Sequence, residues 1–139
     1  MTSRVLSTVE VVQVLLSRLA ARDAAGIARL FAPRVDWRVP DLGGTRWSDG
    51  ARNGREVESY FLALFDILEL EQLTVRQVVT DGGDAVVLGW TRWRVIATGA
   101  LLDMDFAMSV AVYRGEIEQY WQLQDTLAVA LALGTAQMA

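Results

Sequence analysis

The sequence predicts an α+β domain in the shape of a cone, a curved antiparallel sheet with N-terminal helices enclosing a pocket for a small, largely apolar molecule. Three observations carry this. Apolar residues recur at helical spacing through the first half of the chain. From Leu73 onward the period shortens toward two, in long β-rich runs divided by turn signals. Strands of that length on a 139-residue chain must curl, leaving a hollow for the helices to cover. One domain spanning residues 1–139 is expected, with no linker or internal repeat.

Thr8 is placed to cap a first helix, in which Val9, Val12, Leu15, Leu16 and Leu19 share a face. Asp23 caps a shorter second helix with Ile27, Leu30 and Phe31 on its apolar side, and Pro33 ends it. Val35 to Val39 reads as a short strand, and a polar loop runs from Pro40 to Asn53. Asn53 caps a third helix that buries Val57, Tyr60, Phe61, Leu64, Phe65 and Leu68. Strands follow at Leu73–Thr80, Ala85–Ala97, Ala100–Val112 and Glu116–Gln124, separated by Asp81-Gly82-Gly83-Asp84, Thr98-Gly99 and Tyr113-Arg114-Gly115. Asp125 caps a terminal apolar helix reaching about Leu133.

Turn parity tells the two sheet faces apart. If the Thr98-Gly99 hairpin pairs Ala97 with Ala100, Arg94 opposes Asp103 and Arg92 opposes Asp105. Those opposite-charge pairs read as a ladder on the outer face, although a catalytic role for Asp103 or Asp105 stays open. On the inner face Trp93 then meets Met104 and Thr91 meets Phe106, continuing through Met108 and Val110. The last strand gives two answers. Its apolar residues Ile117, Trp121 and Leu123 fall at odd positions, which points Gln122 outward. A three-residue loop pairing Val112 with Glu116 instead places Gln122 beside Phe106 on the cavity face. Burial of both faces, for instance by dimerisation through the convex side, reconciles them.

Composition removes several chemistries. There is no Cys, so disulfides and thiolate nucleophiles are excluded. There is no His, the commonest general base and metal ligand. All 13 basic residues are arginine, so Schiff-base chemistry on lysine is excluded too. The net charge is −4 and no basic stripe is present, against a nucleic-acid partner. Although 53% of residues are hydrophobic, no apolar run has the roughly 18 residues of a membrane span. A cytoplasmic protein without cofactor is expected, since no phosphate-cradling glycine loop follows a strand.

The run from Gly115 to Asp125, with Leu127 and Leu133-Gly134, resembles the C-terminal signature of SnoaL-like polyketide cyclases, in the nuclear transport factor 2-like superfamily. Asp105-Phe106-Ala107-Met108 is similar to the preceding family strand. Phe31-Ala32-Pro33, Val35-Asp36-Trp37, Trp47, Gly50 and Gly54-Arg55 resemble its N-terminal half. The resemblance implies a cystatin-like cone, often dimeric through the sheet. It also implies an acid/base Asp where Gln122 stands and a His where Met108 stands. Among superfamily relatives, ketosteroid isomerase would place its base Asp near Val39. Limonene epoxide hydrolase would place an Arg and an Asp near Thr91 and Trp93. None of these charged groups is present.

The expected site follows from both lines. Gln122, Tyr120 and Asp41 are the catalytic candidates. Gln122 and Tyr120 would hydrogen-bond a developing oxyanion, and Asp41 lies in the loop at the expected cavity mouth. Trp37, Val39, Thr91, Trp93, Met104, Phe106, Met108 and Gln124 are the expected substrate-binding residues. No metal ligands are expected. The function expected is a cofactor-independent cyclase or isomerase of natural-product biosynthesis, acting as a homodimer on a polyketide- or terpenoid-like substrate. Two alternatives remain, a non-catalytic binding or assembly module and an epoxide hydrolase using a pocket Asp (Asp41 or Asp105) on water.

Overall fold

The computed structural model of the chain describes residues 4–40 and 47–134. Helix α1 runs from Thr8 to Ala20 and is capped by Ser7 rather than Thr8. The Ser7 hydroxyl accepts from the Glu10 amide at 3.2 Å, and the Glu10 carboxylate accepts from the Ser7 amide at 3.0 Å. Two backbone donors at the helix start are thereby satisfied. Arg4 grips the same carboxylate at 2.6 Å. Its hydrogen bond, helped by those from Ser7, pulls the Glu10 pKa down to about 2. Thr8 instead donates its hydroxyl hydrogen to the Gly82 carbonyl at 3.0 Å, fastening α1 to a hairpin turn.

Asp23 caps α2 (Ala24–Ala28) by accepting from the Gly26 amide at 2.9 Å. The helix ends before Pro33 is reached. Strand β1 (Phe31–Pro40) starts at Phe31, not Val35, and contains that proline. Its register against the last strand breaks between Phe31 and Asp36, around the residue that has no N–H to give. Strand β2 (Trp47–Arg52) lies where a loop was expected and returns antiparallel along β1. Asn53 then caps α3 (Gly54–Ile67), with Glu56 completing a second capping box. Strand β3 (Leu68–Asp81) starts five residues earlier than the alternation suggested, directly from the end of α3.

Strands β4 (Asp84–Val95), β5 (Leu101–Tyr113) and β6 (Glu116–Gln124) complete a six-stranded sheet, and α4 (Thr126–Leu133) follows. The strand order is β2-β1-β6-β5-β4-β3, and the sheet is curved and unclosed. All neighbours are antiparallel except β1 and β6, which run parallel, so the sheet is mixed rather than purely antiparallel.

The β4–β5 hairpin keeps the expected faces with different partners. Arg92 opposes Asp103, Trp90 opposes Asp105, and Thr91 opposes Met104. The loop is wider than Thr98-Gly99, because Gly99, at φ 78°, donates back to the Val95 carbonyl. A shift of two residues preserves the face. On the outer face Arg92 binds Asp103 at 2.8 and 3.0 Å, Arg76 binds Asp105 at 3.0 Å, and Arg94 binds Glu69 and Glu71. The Arg92 hydrogen bond holds the Asp103 carboxyl below the usual carboxylate range.

Two apolar clusters fill the concave side. The larger joins α1, α2 and α3 to the sheet through Val11, Leu15, Ile27, Val57, Phe61, Val110 and Ile117. The smaller groups Leu68, Trp93, Val95, Leu102 and Met104 with Val129 of α4. Among the described residues no helix is long and apolar enough to cross a membrane.

Candidate functional site

The site rests on the conformation of β6, and two local features set it. Arg114 and Gly115 turn the chain with positive φ, 50° and 78°, as the type I′ two-residue hairpin turn requires at both positions. Tyr113 therefore opposes Glu116, and the three-residue loop expected here is absent. A bulge follows. Val112 opposes Ile117 and Ala111 opposes Gln119, leaving Glu118 as the extra residue. Ile117 points inward before the bulge, and Tyr120, Gln122 and Gln124 share the concave face after it. Both sequence arguments were half right: the apolar pattern holds up to the bulge, and the cavity placement of Gln122 holds beyond it. Gln122 opposes Met108, not Phe106, whose partner is Gln124.

These side chains enter a hollow between the sheet and the helices. Leu16 and Leu19 of α1 and Phe61 and Leu64 of α3 form its roof. Leu70 and Leu73 of β3, Thr91 and Trp93 of β4, and Phe106 and Met108 of β5 form floor and sides with Tyr120, Gln122 and Gln124. The hollow has a cavity volume of about 30 Å³. That is room for one or a few waters. A ligand of natural-product size needs several hundred Å³, so the aliphatic and thioether side chains in the wall must move to receive it.

Polarity in the wall is confined almost entirely to one row. Tyr120 is 1% exposed, and its hydroxyl donates to Gln122 Oε1 at 2.9 Å. Gln122 Nε2 donates to Gln124 Oε1 at 2.8 Å. Burial, with a smaller contribution from Tyr60, pushes the Tyr120 pKa far above the ordinary tyrosine value, so the phenol stays protonated. Thr91 places its hydroxyl 3.5 Å from the Met104 carbonyl, a long contact. No described residue of the wall is a carboxylate or an arginine.

Thus Thr91, Trp93, Phe106, Met108, Tyr120, Gln122 and Gln124, all expected at the site, meet in one wall. Trp37, Val39 and Met104 were expected there too, but stand in the packing around it. Trp37 stacks on Tyr120 at 5.2 Å, Val39 is fully buried in the larger cluster, and Met104 belongs to the smaller one. Asp41 lies outside the described residues. Asp105 is paired with Arg76 on the opposite face of the sheet, away from any substrate in the hollow. Leu16, Leu19, Phe61 and Leu64 read in the sequence only as apolar helix faces, because a cavity wall and a filled core need the same apolar pattern, and Leu70 lay outside the strand as read.

Residues 12–120 match the SnoaL-like domain family. No curated protein matches the sequence. Among solved structures, an NTF2-like protein from Burkholderia thailandensis is 20% identical, with a TM-score of 0.76 over 92% of this chain and 98% of that one. TerC, co-crystallised with polyporic acid, is 23% identical, with a TM-score of 0.75 over 91% and 98%. An LEH-like epoxide hydrolase from M. tuberculosis is 12% identical, with a TM-score of 0.69 over 92% and 90%. At these identities the likeness is one of fold, the NTF2-like fold.

Proposed function

The chain belongs to the SnoaL-like domain family, and on that premise we propose that it is a cofactor-independent enzyme of natural-product biosynthesis. Its substrate is a largely apolar polyketide- or terpenoid-like molecule that undergoes cyclisation or rearrangement in the hollow. One observation supports this reading above the rest: an otherwise apolar cavity carries a single ordered amide row, with Gln122 at its centre. The walls hold a flexible substrate near its reactive geometry, which can supply much of a unimolecular barrier reduction. The Gln122 amide donates a hydrogen bond to oxygen charge that develops on the way. A glutamine cannot carry a proton at neutral pH, and no described residue of the wall is a carboxylate, so the reading favours a reaction in which the described wall moves none.

That last constraint also favours a second reading, in which the domain binds such a molecule without converting it. The homodimer belongs to both. Trp121 and Leu123 point to the convex face, 37% and 54% exposed, where Leu88 and Val86 extend the apolar surface.

Native mass spectrometry of the protein after exposure to a small-molecule extract of its host cells separates the readings. A ligand released with altered connectivity supports the enzyme, and one returned unchanged supports the binder. For the enzyme, Gln122→Leu is expected to lower turnover about 100-fold with the fold intact. Undiminished turnover removes Gln122 from the mechanism.

A further inference from the structure

The amide row has a fixed direction. Asparagine and glutamine amides can be turned over without changing shape, exchanging donor for acceptor. In this row the buried end decides the question. The Tyr120 hydroxyl has one hydrogen to give, and the described structure offers it one acceptor, Gln122 Oε1 at 2.9 Å. Were the Gln122 amide reversed, its Nε2 would donate to the phenol, and the phenolic hydrogen would lose its one acceptor among the described side chains. That costs about 1–3 kcal/mol. With Gln122 fixed, its Nε2 faces Gln124 Oε1 at 2.8 Å, which fixes Gln124 in turn. The hydrogens left over belong to Gln122 Nε2 and Gln124 Nε2, so the free end of the row, at Gln124, is an N–H donor, although each amide oxygen keeps a second lone pair.

We infer that Tyr120 is a positioning residue that locks this row with its N–H end outward, so that the hollow prefers uncharged ligands bearing a carbonyl-type acceptor to donor-only ones and rejects anionic ones. Anions are rejected because no cation stands in the described wall to compensate a buried charge. This rests on the small-molecule reading of the hollow given above. It adds to that reading the polarity of the ligand and the residue that sets it.

Three bicyclic probes of one shape test it: indanone carries an acceptor, indane no polar group, and indole an N–H donor. Dissociation constants are measured by calorimetry for the wild type, Tyr120→Phe and Gln122→Met. In the wild type indanone should bind about fivefold to tenfold tighter than indane, and indole several-fold weaker. Tyr120→Phe frees the amides to turn over. Its expected signature is a collapsed indanone-to-indole ratio with indane affinity unchanged, an outcome that loss of packing alone would not produce. Gln122→Met, which leaves only the Gln124 amide as donor, should reduce the preference for indanone over indane. If all three probes bind the wild type alike, or Tyr120→Phe leaves the ratio intact, the polarity inference is overturned while the pocket reading stands. If none binds, both fall.

Discussion

Gly89 lies on β4 opposite Phe106 and beside Val75 of β3. A methyl group there would sit 2.4 Å from the Thr74 carbonyl oxygen and 2.7 and 2.9 Å from two atoms of the Phe106 ring. The ring can retreat only into the hollow, and the oxygen belongs to the backbone of a paired strand. Overpacking of this kind costs about 1–3 kcal/mol, and a backbone contact argues for the upper end. Alanine recovers roughly 0.5–1 kcal/mol by restricting the unfolded chain. Gly89→Ala should therefore lose about 2 kcal/mol, which for a chain of this length lowers the thermal midpoint by roughly 6–8 °C. The assay is thermal and urea unfolding at one fixed protein concentration. Gly54→Ala is the control, since nothing lies within 4 Å of a Cβ there, and its midpoint should not fall. The double variant Gly89→Ala/Phe106→Leu should recover only the share owed to the ring. A Gly89→Ala midpoint at or above wild type would refute the reasoning.

Leu123→Glu places a charge on the exposed apolar row of β6 and should convert a dimer to monomer by light scattering, without moving the circular dichroism spectrum. A wild type that is already monomeric at micromolar concentration removes the dimer from the proposal. Glu10, with its pKa lowered from 4.5 to about 2, contributes stability that is fully present above the ordinary carboxylate value and is lost as pH falls through about 2. Glu10→Gln should thus be less stable than wild type at neutral pH. The gap should close between pH 4.5 and about 2 in urea titrations across that range.

Local chemistry made most of the fold legible. Asp23 and Asn53 cap helices as read, the Asp81–Asp84 turn stands where its residues put it, and Asp125 caps α4 by accepting from the Ala128 amide at 3.0 Å. The inner and outer faces of β4 and β5 survived a wrong register because the error was two residues, an even number. What stayed hidden depends on partners distant in the chain. The parallel pairing of β1 with β6 has no local signal, and neither does β2. The capping box at Ser7 and Glu10 was readable from its spacing, and the choice of Thr8 overlooked it. At the site, the row of Tyr120, Gln122 and Gln124 could be counted on one face by parity. Which face it was depended on a bulge that the apolar pattern of β6 argues against, because the bulge sends Trp121 and Leu123 outward. Nor can a sequence tell a cavity wall from a filled core.

The bulge also bears on how this chain can change length. Residues ordinarily alternate sides along a strand, so removing one from the middle turns over everything beyond it. At Glu118 the rule is suspended. Ala111 already faces Gln119 and Val112 already faces Ile117, so excising Glu118 would join neighbours that the ladder has seated side by side. Tyr120, Gln122 and Gln124 would keep their places in the hollow, and Trp121 and Leu123 theirs outside. Lineages of this domain can therefore gain or lose one codon at that point, in the middle of a paired strand, and keep both the lumen and the outer surface they inherited.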